Sequence, residues 1–196
     1  MHAGSWSIPI SKIVYKGHVY GFEAFPYYAR ILKIVIFLMN IKNITIINKA
    51  VLDKKGTVPL KYKDSKGNML TGFTHIKSNL EYSNEDLLVK GDTIDSFMSK
   101  KNIHKVDLIK CDIEGAELLA FKGAINTIKN SRPVVYCEII EEYCNRYNFS
   151  SEDVFNYFIN LDYNPFLISN NNIELTNYEL FKDGDVLFVP SEINAQ

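Results

Sequence analysis

The chain has 196 residues, of which 46% are hydrophobic and 13% aromatic, and its formal net charge is −1. This length suits one domain with a sizeable core, and the apolar content excludes a disordered tail. Near-neutral net charge offers no electrostatic argument for nucleic acid or an anionic membrane as partner.

Taken from the start, His2-Ala3-Gly4-Ser5-Trp6 precedes an apolar stretch, Ile8 to Val14, that reads as a first helix. Gly17–Pro26, G-H-V-Y-G-F-E-A-F-P, is a short apolar strand ending in Glu23. Trp6 and Tyr15 read as packing residues, and His18 and His104 as surface residues beside strands. Ile31–Met39 is the longest apolar stretch and reads as a helix, too short to span a membrane. A helix apolar on nearly every side needs cover on more than one face, so a homodimer contact is possible there. Asn43–Val51 reads as the next strand. Thr57–Lys63 alternates into the turn-like Asp64–Asn68 and resembles one arm of a hairpin. Met69–Asp86 is polar and is expected to be an irregular excursion above the site, carrying His75.

Asp92 is expected to cap a helix over Thr93–Lys101. The most informative segment follows at Val106–Glu117, V-D-L-I-K-C-D-I-E-G-A-E. It reads as a buried strand with Asp112 at its carboxyl end, a change of direction at Gly115, and a helix keeping period through Ala116, Leu119, Ala120, Ala124 and Ile128. Pro133 starts the next strand, which ends near Glu138. Ser151 is expected to cap a helix through Leu161 with Val154, Phe155, Phe158 and Ile159 inward. Pro165–Ser169 and Asp185–Val189 read as final strands joined through Asn170–Asn172. The alternation of strands and helices predicts an α/β fold, one domain over residues 1–196, with a mostly parallel sheet and helices on both faces.

Several acids therefore fall at the carboxyl ends of strands, where open α/β sheets bind ligands. Gly4 and Glu23 lie 19 residues apart. A glycine turn followed about 20 residues later by a strand-terminal acid is a nucleotide-binding arrangement, the acid receiving ribose hydroxyls. The plainer reading of Glu114 and Glu117 is that they complement the positive end of the next helix. That reading covers Asp112 poorly, because Asp112 belongs to the strand. Asp112 and Glu114 also raise a divalent metal, but without a third ligand of clear spacing no metal is assigned. Three cysteines, none with metal-type spacing, suggest reduced thiols in a cytoplasmic protein, Cys111 and Cys137 as core and Cys144 open to exposure.

The ordered motifs G-F-E-A-F-P, N-K-A-V-L-D (Asn48–Asp53), I-K-C-D-I-E-G-A-E-L-L-A-F-K-G-A (Ile109–Ala124) and R-P-V-V-Y-C-E-I (Arg132–Ile139) resemble those of the FkbM-type methyltransferases. Two departures stand out. Members of that family begin with a strand ending in D-x-G-A-x-x-G, whereas this chain starts at Met1-His2-Ala3-Gly4, so it is expected to be N-terminally truncated within that motif. Ala24 stands where the family usually has proline.

The resemblance implies a Rossmann-like fold with an antiparallel last strand, S-adenosyl-L-methionine (SAM) as cofactor, and O-methylation of a small molecule or glycan. In that scheme Glu23 holds the cofactor ribose, and Gly4, Ser5, Ala24 and Ala50 line the cofactor. Asp112 and Glu138 face one crevice and orient or deprotonate the acceptor hydroxyl, with Glu114 and His75 contacting the acceptor. Tyr143, Tyr147 and Phe149 either line a sugar pocket or simply pack. The competing expectations are a non-catalytic scaffold that serves as an interaction partner, and an NAD- or nucleotide-sugar-dependent enzyme. The latter gives the acidic strand–helix junction Asp112–Glu117 no role.

Overall fold

The computed structural model describes residues 4–64, 66–70, 74–77, 86–169 and 172–193. The chain divides into two compact units, Met1–Asp92 and Thr93–Gln196.

The first unit begins with helix α1 (Ser7–Ile13), strand β1 (Val19–Phe22), helix α2 (Pro26–Leu38) and strand β2 (Ile44–Ile47). β1 and β2 pair in parallel, Val19 opposite Ile44, so the four elements contain a βαβ unit. Pro26 occupies the first turn of α2, where its missing N–H costs nothing. Ala29, Leu32 and Ile36, spaced three and four apart, form one buried stripe of α2 against Ile44 and Ile46, with Ile8, Val19 and Ile41 at the margin. The opposite side of α2 stays open: Ile34, Phe37, Leu38 and Met39 are exposed. Tyr15 is exposed as well, so it is not the packing residue the sequence suggested.

The stretch expected to be one strand, Asn43–Val51, is two. After β2 the chain turns tightly, the Lys49 N–H donating to the Ile47 carbonyl at 3.0 Å. Strand β3 (Ala50–Val51) then enters a different sheet with β4 (Gly56–Lys61), β5 (His75–Ile76) and β6 (Leu87–Asp92), in the order β3-β6-β4-β5. β4 is antiparallel to both β5 and β6, which supports the hairpin expectation. His75 sits in a strand rather than in irregular chain, and much of 69–86 lies outside the described residues.

The second unit opens with helix α3 (Ile94–Lys101). Its cap is Thr93, whose hydroxyl accepts from the Ser96 N–H at 3.0 Å, and not Asp92, which ends β6 and pairs with Lys49 at 2.6 Å. Strand β7 (Leu108–Cys111), helices α4 (Glu117–Lys122) and α5 (Ile125–Ser131), strand β8 (Val134–Ile139), helix α6 (Glu141–Cys144) and helix α7 (Ser151–Ile159) follow. The chain closes with strands β9 (Tyr163–Ser169), β10 (Asn172–Leu175) and β11 (Gly184–Pro190). The single helix expected from Ala116 to Ile128 is broken at Gly123 and Ala124. α7 is capped by Ser150 in a reciprocal capping box with Asp153, one residue before the expected Ser151.

The five strands run β10-β9-β11-β8-β7. Only β7–β8 is parallel; β8–β11, β11–β9 and β9–β10 are antiparallel. The expected mostly parallel sheet is thus a set of mixed sheets, and the expected antiparallel last strand is present as β11. β10 was not anticipated.

Alternation gives this sheet one apolar face. Val135, Cys137, Ile139, Val186 and Phe188 are fully buried, together with Phe121, Val154, Phe155 and Phe158. Ile159, expected inward, is exposed. β7 is half covered rather than buried, because among the described residues it has one strand neighbour and Leu108 remains exposed. Cys144 is buried with Cys111 and Cys137. Burial pushes all three thiols up, Cys144 to about 12, so none is a thiolate nucleophile at neutral pH.

Candidate functional site

In the first unit, Glu23 directly follows β1 and is buried. Its amide donates to the Ile47 carbonyl at 3.0 Å, holding the ends of β1 and β2 together. Asn48 strengthens this junction, its Nδ2 donating to the Glu23 carbonyl at 2.8 Å and the Ala24 carbonyl at 3.1 Å. Glu23 Oε1 accepts from the Phe25 N–H at 2.9 Å, whereas Oε2 is buried with no hydrogen-bond partner among the described residues. Burial raises the carboxyl above its ordinary value, partly offset by the Phe25 amide. A buried acceptor without a donor is costly, and an incoming hydroxyl would satisfy it.

The other residues expected to hold a cofactor are more ordinary. Gly4 is buried at φ +90°, and an added Cβ would come within 2.6 Å of Leu32 Cδ2, so packing against α2 explains the glycine. Ser5 is exposed in the turn before α1. Ala24 is half-buried, and Ala50 is buried at the start of β3. His75 is half-buried in β5, opposite Lys61.

In the second unit the acids gather on the polar face of the five-stranded sheet. Register places Lys110 beside Tyr136 and Glu138 beside Asp185. Lys110 Nζ lies 2.6 Å from Asp112 Oδ2 and 5.5 Å from the centre of the Tyr136 ring. Asp112 follows β7 directly, and Glu138 is the penultimate residue of β8. Burial raises the Glu138 carboxyl, and Asp112 and Asp185 raise it further. Burial also raises the Tyr136 hydroxyl, together with its hydrogen bond to Asp185.

The turn between β7 and α4 is organised by Glu117, itself buried. Its Oε1 accepts from the Ile113 N–H at 2.8 Å and the Gly115 N–H at 3.3 Å, so it holds the turn as well as sitting in the first turn of α4. Glu114 adopts φ +60°, a left-handed conformation that a side chain other than glycine seldom takes. Burial, then Asp112 and Glu138, push its carboxyl up to about 7. The structure therefore brings Asp112, Glu114 and Glu138 into one electrostatic cluster, together with Lys110, Tyr136 and Asp185.

Among the described residues no group of three His, Cys, Asp or Glu is placed to hold a metal ion. Tyr143, Tyr147 and Phe149 contribute to packing: the Arg146 guanidinium lies 4.1 Å from the Tyr143 ring centre, and Tyr147 stacks on Phe149 at 6.1 Å.

Lys110, Tyr136, Asp185 and Asn48 were not singled out from the sequence. Lys110 was within reach, since it shares a strand face with Asp112 at spacing two. Asp185 needs the β8–β11 register, and Asn48 needs the β1–β2 junction.

The Glu114 shift has a consequence for stability. Its folded value, about 7, lies above the ordinary 4.5, so the folded state binds this proton more tightly. The associated stability is complete below about 4.5 and is lost as pH rises through about 7. At 1.36 kcal/mol per unit, discounted for the solvent reaching a half-buried group, about 1–2 kcal/mol is at stake. Glu114→Gln, a neutral isostere, should match the native chain near pH 4.5 and exceed it by that amount at pH 8 in urea unfolding. The same difference at both pH values would remove the electrostatic cause.

The model of the methyltransferase FkbM domain family matches residues 1–165, and the chain belongs to that family. A crystal structure of Methyltransferase FkbM from Methylobacillus flagellatus KT is similar, with a TM-score of 0.59 and 17% identity over 95% of this chain and 41% of that one. At this identity the likeness shows the fold, and the chain spans less than half the length of that structure. No curated protein sequence matches the chain significantly.

Proposed function

We propose that the chain is a SAM-dependent methyltransferase that methylates a hydroxyl of a small molecule or glycan. The observation that carries this reading is Glu23 Oε2, a buried acceptor at the carboxyl end of a parallel strand with no hydrogen-bond partner among the described residues. It fits a ribose hydroxyl, with Oε1 fixed by the Phe25 amide and the strand end fixed by Asn48. SAM supplies an electrophilic methyl group on a sulfonium. The residues of this chain have to bind, orient and handle the acceptor's proton. Much of the rate of such a displacement comes from holding the reacting atoms in line.

Glu114, which burial and neighbouring acids push up to about 7, is the carboxyl suited to receive the acceptor's proton near neutral pH, and burial with Asp112 and Asp185 raises Glu138 in the same direction. Asp112, fixed by Lys110 at 2.6 Å, is suited to orienting rather than to taking up a proton. With SAM held at Glu23, the cofactor would supply the methyl group, and Glu114 or Glu138 would take up the proton that the acceptor hydroxyl gives up.

Isothermal titration with SAM tests the cofactor half of the proposal. The chain should bind, and Glu23→Ala should weaken binding about 5- to 150-fold, the range that corresponds to 1–3 kcal/mol for unpaired ribose hydroxyls. Equal affinity in the variant would remove Glu23 from the site. Absence of binding in the folded native chain would overturn the cofactor assignment.

A further inference from the structure

Net charge near zero hides a strong polarity along the chain. Met1–Asp92 carries thirteen Lys and Arg against seven Asp and Glu, net +6, while Thr93–Gln196 carries nine against sixteen, net −7. Within the first 63 residues there are ten Lys and Arg and only two acids, Glu23 and Asp53. Glu23 is buried at the carboxyl end of β1.

The basic excess coincides with an uncovered apolar surface at the opposite, amino-terminal end of β1 and β2. Asn43, just before β2, donates from Nδ2 to the Ser11 and Val14 carbonyls at 2.8 and 3.2 Å. That places the end of α1 beside the α2–β2 connection. Ile13 and Tyr15 are 76% and 74% exposed on the first, and Phe37 and Leu38 are 79% and 74% exposed on the second. Lys12, Lys16, Lys33 and Lys42 are exposed among them. Along the outer edge of β2 runs a pocket of about 340 Å³, with Ile36, Ile41 and Ile44 as apolar lining and Lys33 and Lys42 also lining it. β2 has a strand neighbour on its β1 side only, so this edge is open among the described residues.

We propose that this end of the first unit is a peripheral binding surface for an anionic lipid membrane. Apolar tips ringed by lysines match an interface whose headgroups are negative and whose interior is hydrocarbon. The lysine-lined pocket suits one anionic headgroup. Charge complementarity selects this occupant over the same surface of a second copy, because two such surfaces facing each other would oppose lysine to lysine. It also departs from nucleic-acid surfaces, where the protruding groups are cationic rather than aliphatic. No helix among the described residues is long and apolar enough to cross a membrane, so the association is with the surface. The proposal is independent of the methyl-transfer reading.

Co-sedimentation of the full 196-residue chain with vesicles tests it, without cofactor or acceptor. Binding is expected to phosphatidylcholine vesicles containing 30% phosphatidylserine (about one lipid in three), to weaken as salt rises, and to be absent from pure phosphatidylcholine. The double variant Lys33→Glu, Lys42→Glu and the double variant Phe37→Asp, Leu38→Asp should each lower the affinity at least tenfold while retaining the native thermal melt. No binding, equal binding to both vesicle types, or unchanged affinity in the variants would overturn it. Sedimentation velocity showing a dimer that Phe37→Asp, Leu38→Asp dissolves would assign the surface to a second copy instead.

Discussion

Phe158→Ala is expected to destabilise the second unit by about 3–5 kcal/mol, the usual loss for deleting a buried aromatic ring. Phe158 has no solvent exposure. Its ring stacks on Phe188 at 4.2 Å and meets Phe121, Tyr157 and Tyr163 at 4.8, 5.4 and 5.4 Å. It therefore ties α7 to α4, β9 and β11 at one point. Partial collapse is restricted, because Tyr157 donates to the Phe121 carbonyl at 2.7 Å and the Arg132 guanidinium lies 4.5 Å from the Tyr163 ring centre. Guanidinium unfolding should show a lower midpoint at unchanged slope. If the alanine chain does not fold, Phe158→Leu should still cost about 1–2 kcal/mol. A loss below about 1 kcal/mol for Phe158→Ala would show that this cluster is not the organising core.

Gly115→Ala should cost about 2–4 kcal/mol, from strain at a left-handed residue and from overlap with backbone. Gly115 lies at φ +102°, and an added Cβ would fall 2.3 Å from the Tyr143 carbonyl oxygen and 2.5 Å from its carbon. These are main-chain atoms of α6, so no side chain can swing aside. The turn would have to move, disturbing the Gly115 N–H bond to Glu117 and the placement of Glu114. The proposed methyl transfer should therefore fall together with stability. Gly56→Ala is the control, since a Cβ there meets nothing within 4 Å and the expected change is within about 0.5 kcal/mol. Equal effects at the two glycines would refute the steric account.

The acids at strand ends were legible in the sequence because each depends on a run of four to six neighbouring residues. Glu23 after Val19–Phe22 and Asp112 after Leu108–Cys111 are cases of an apolar run ending in a carboxylate. Gly115 was legible for the same reason, since a strand and a helix meet there. Helix caps missed by one residue, at Thr93 and Ser150, because adjacent hydroxyls and acids compete for the same amide.

The alternation of strands and helices also suggested a parallel sheet, and there local pattern failed. Thr57–Lys61 and Val186–Phe188 alternate in the same way whether their partner runs parallel or antiparallel. The exposure of Leu108 was invisible for a related reason: an apolar residue at an edge looks the same as one in the middle.

The sequence by itself determined the family, the α/β class, and which carboxylates end the strands, since these follow from short-range order and local periodicity. Only the tertiary structure decided that Glu23 has one bonded oxygen and one without a partner among the described residues, that Asp185 stands beside Glu138, and that Lys33, Phe37 and Lys42 line one pocket. Each of these joins residues separated by tens of positions, or by a fold that turns one end of a helix outward. Register, burial and the direction of a side chain arise from such long-range packing, and no count of charges or window of hydropathy contains them.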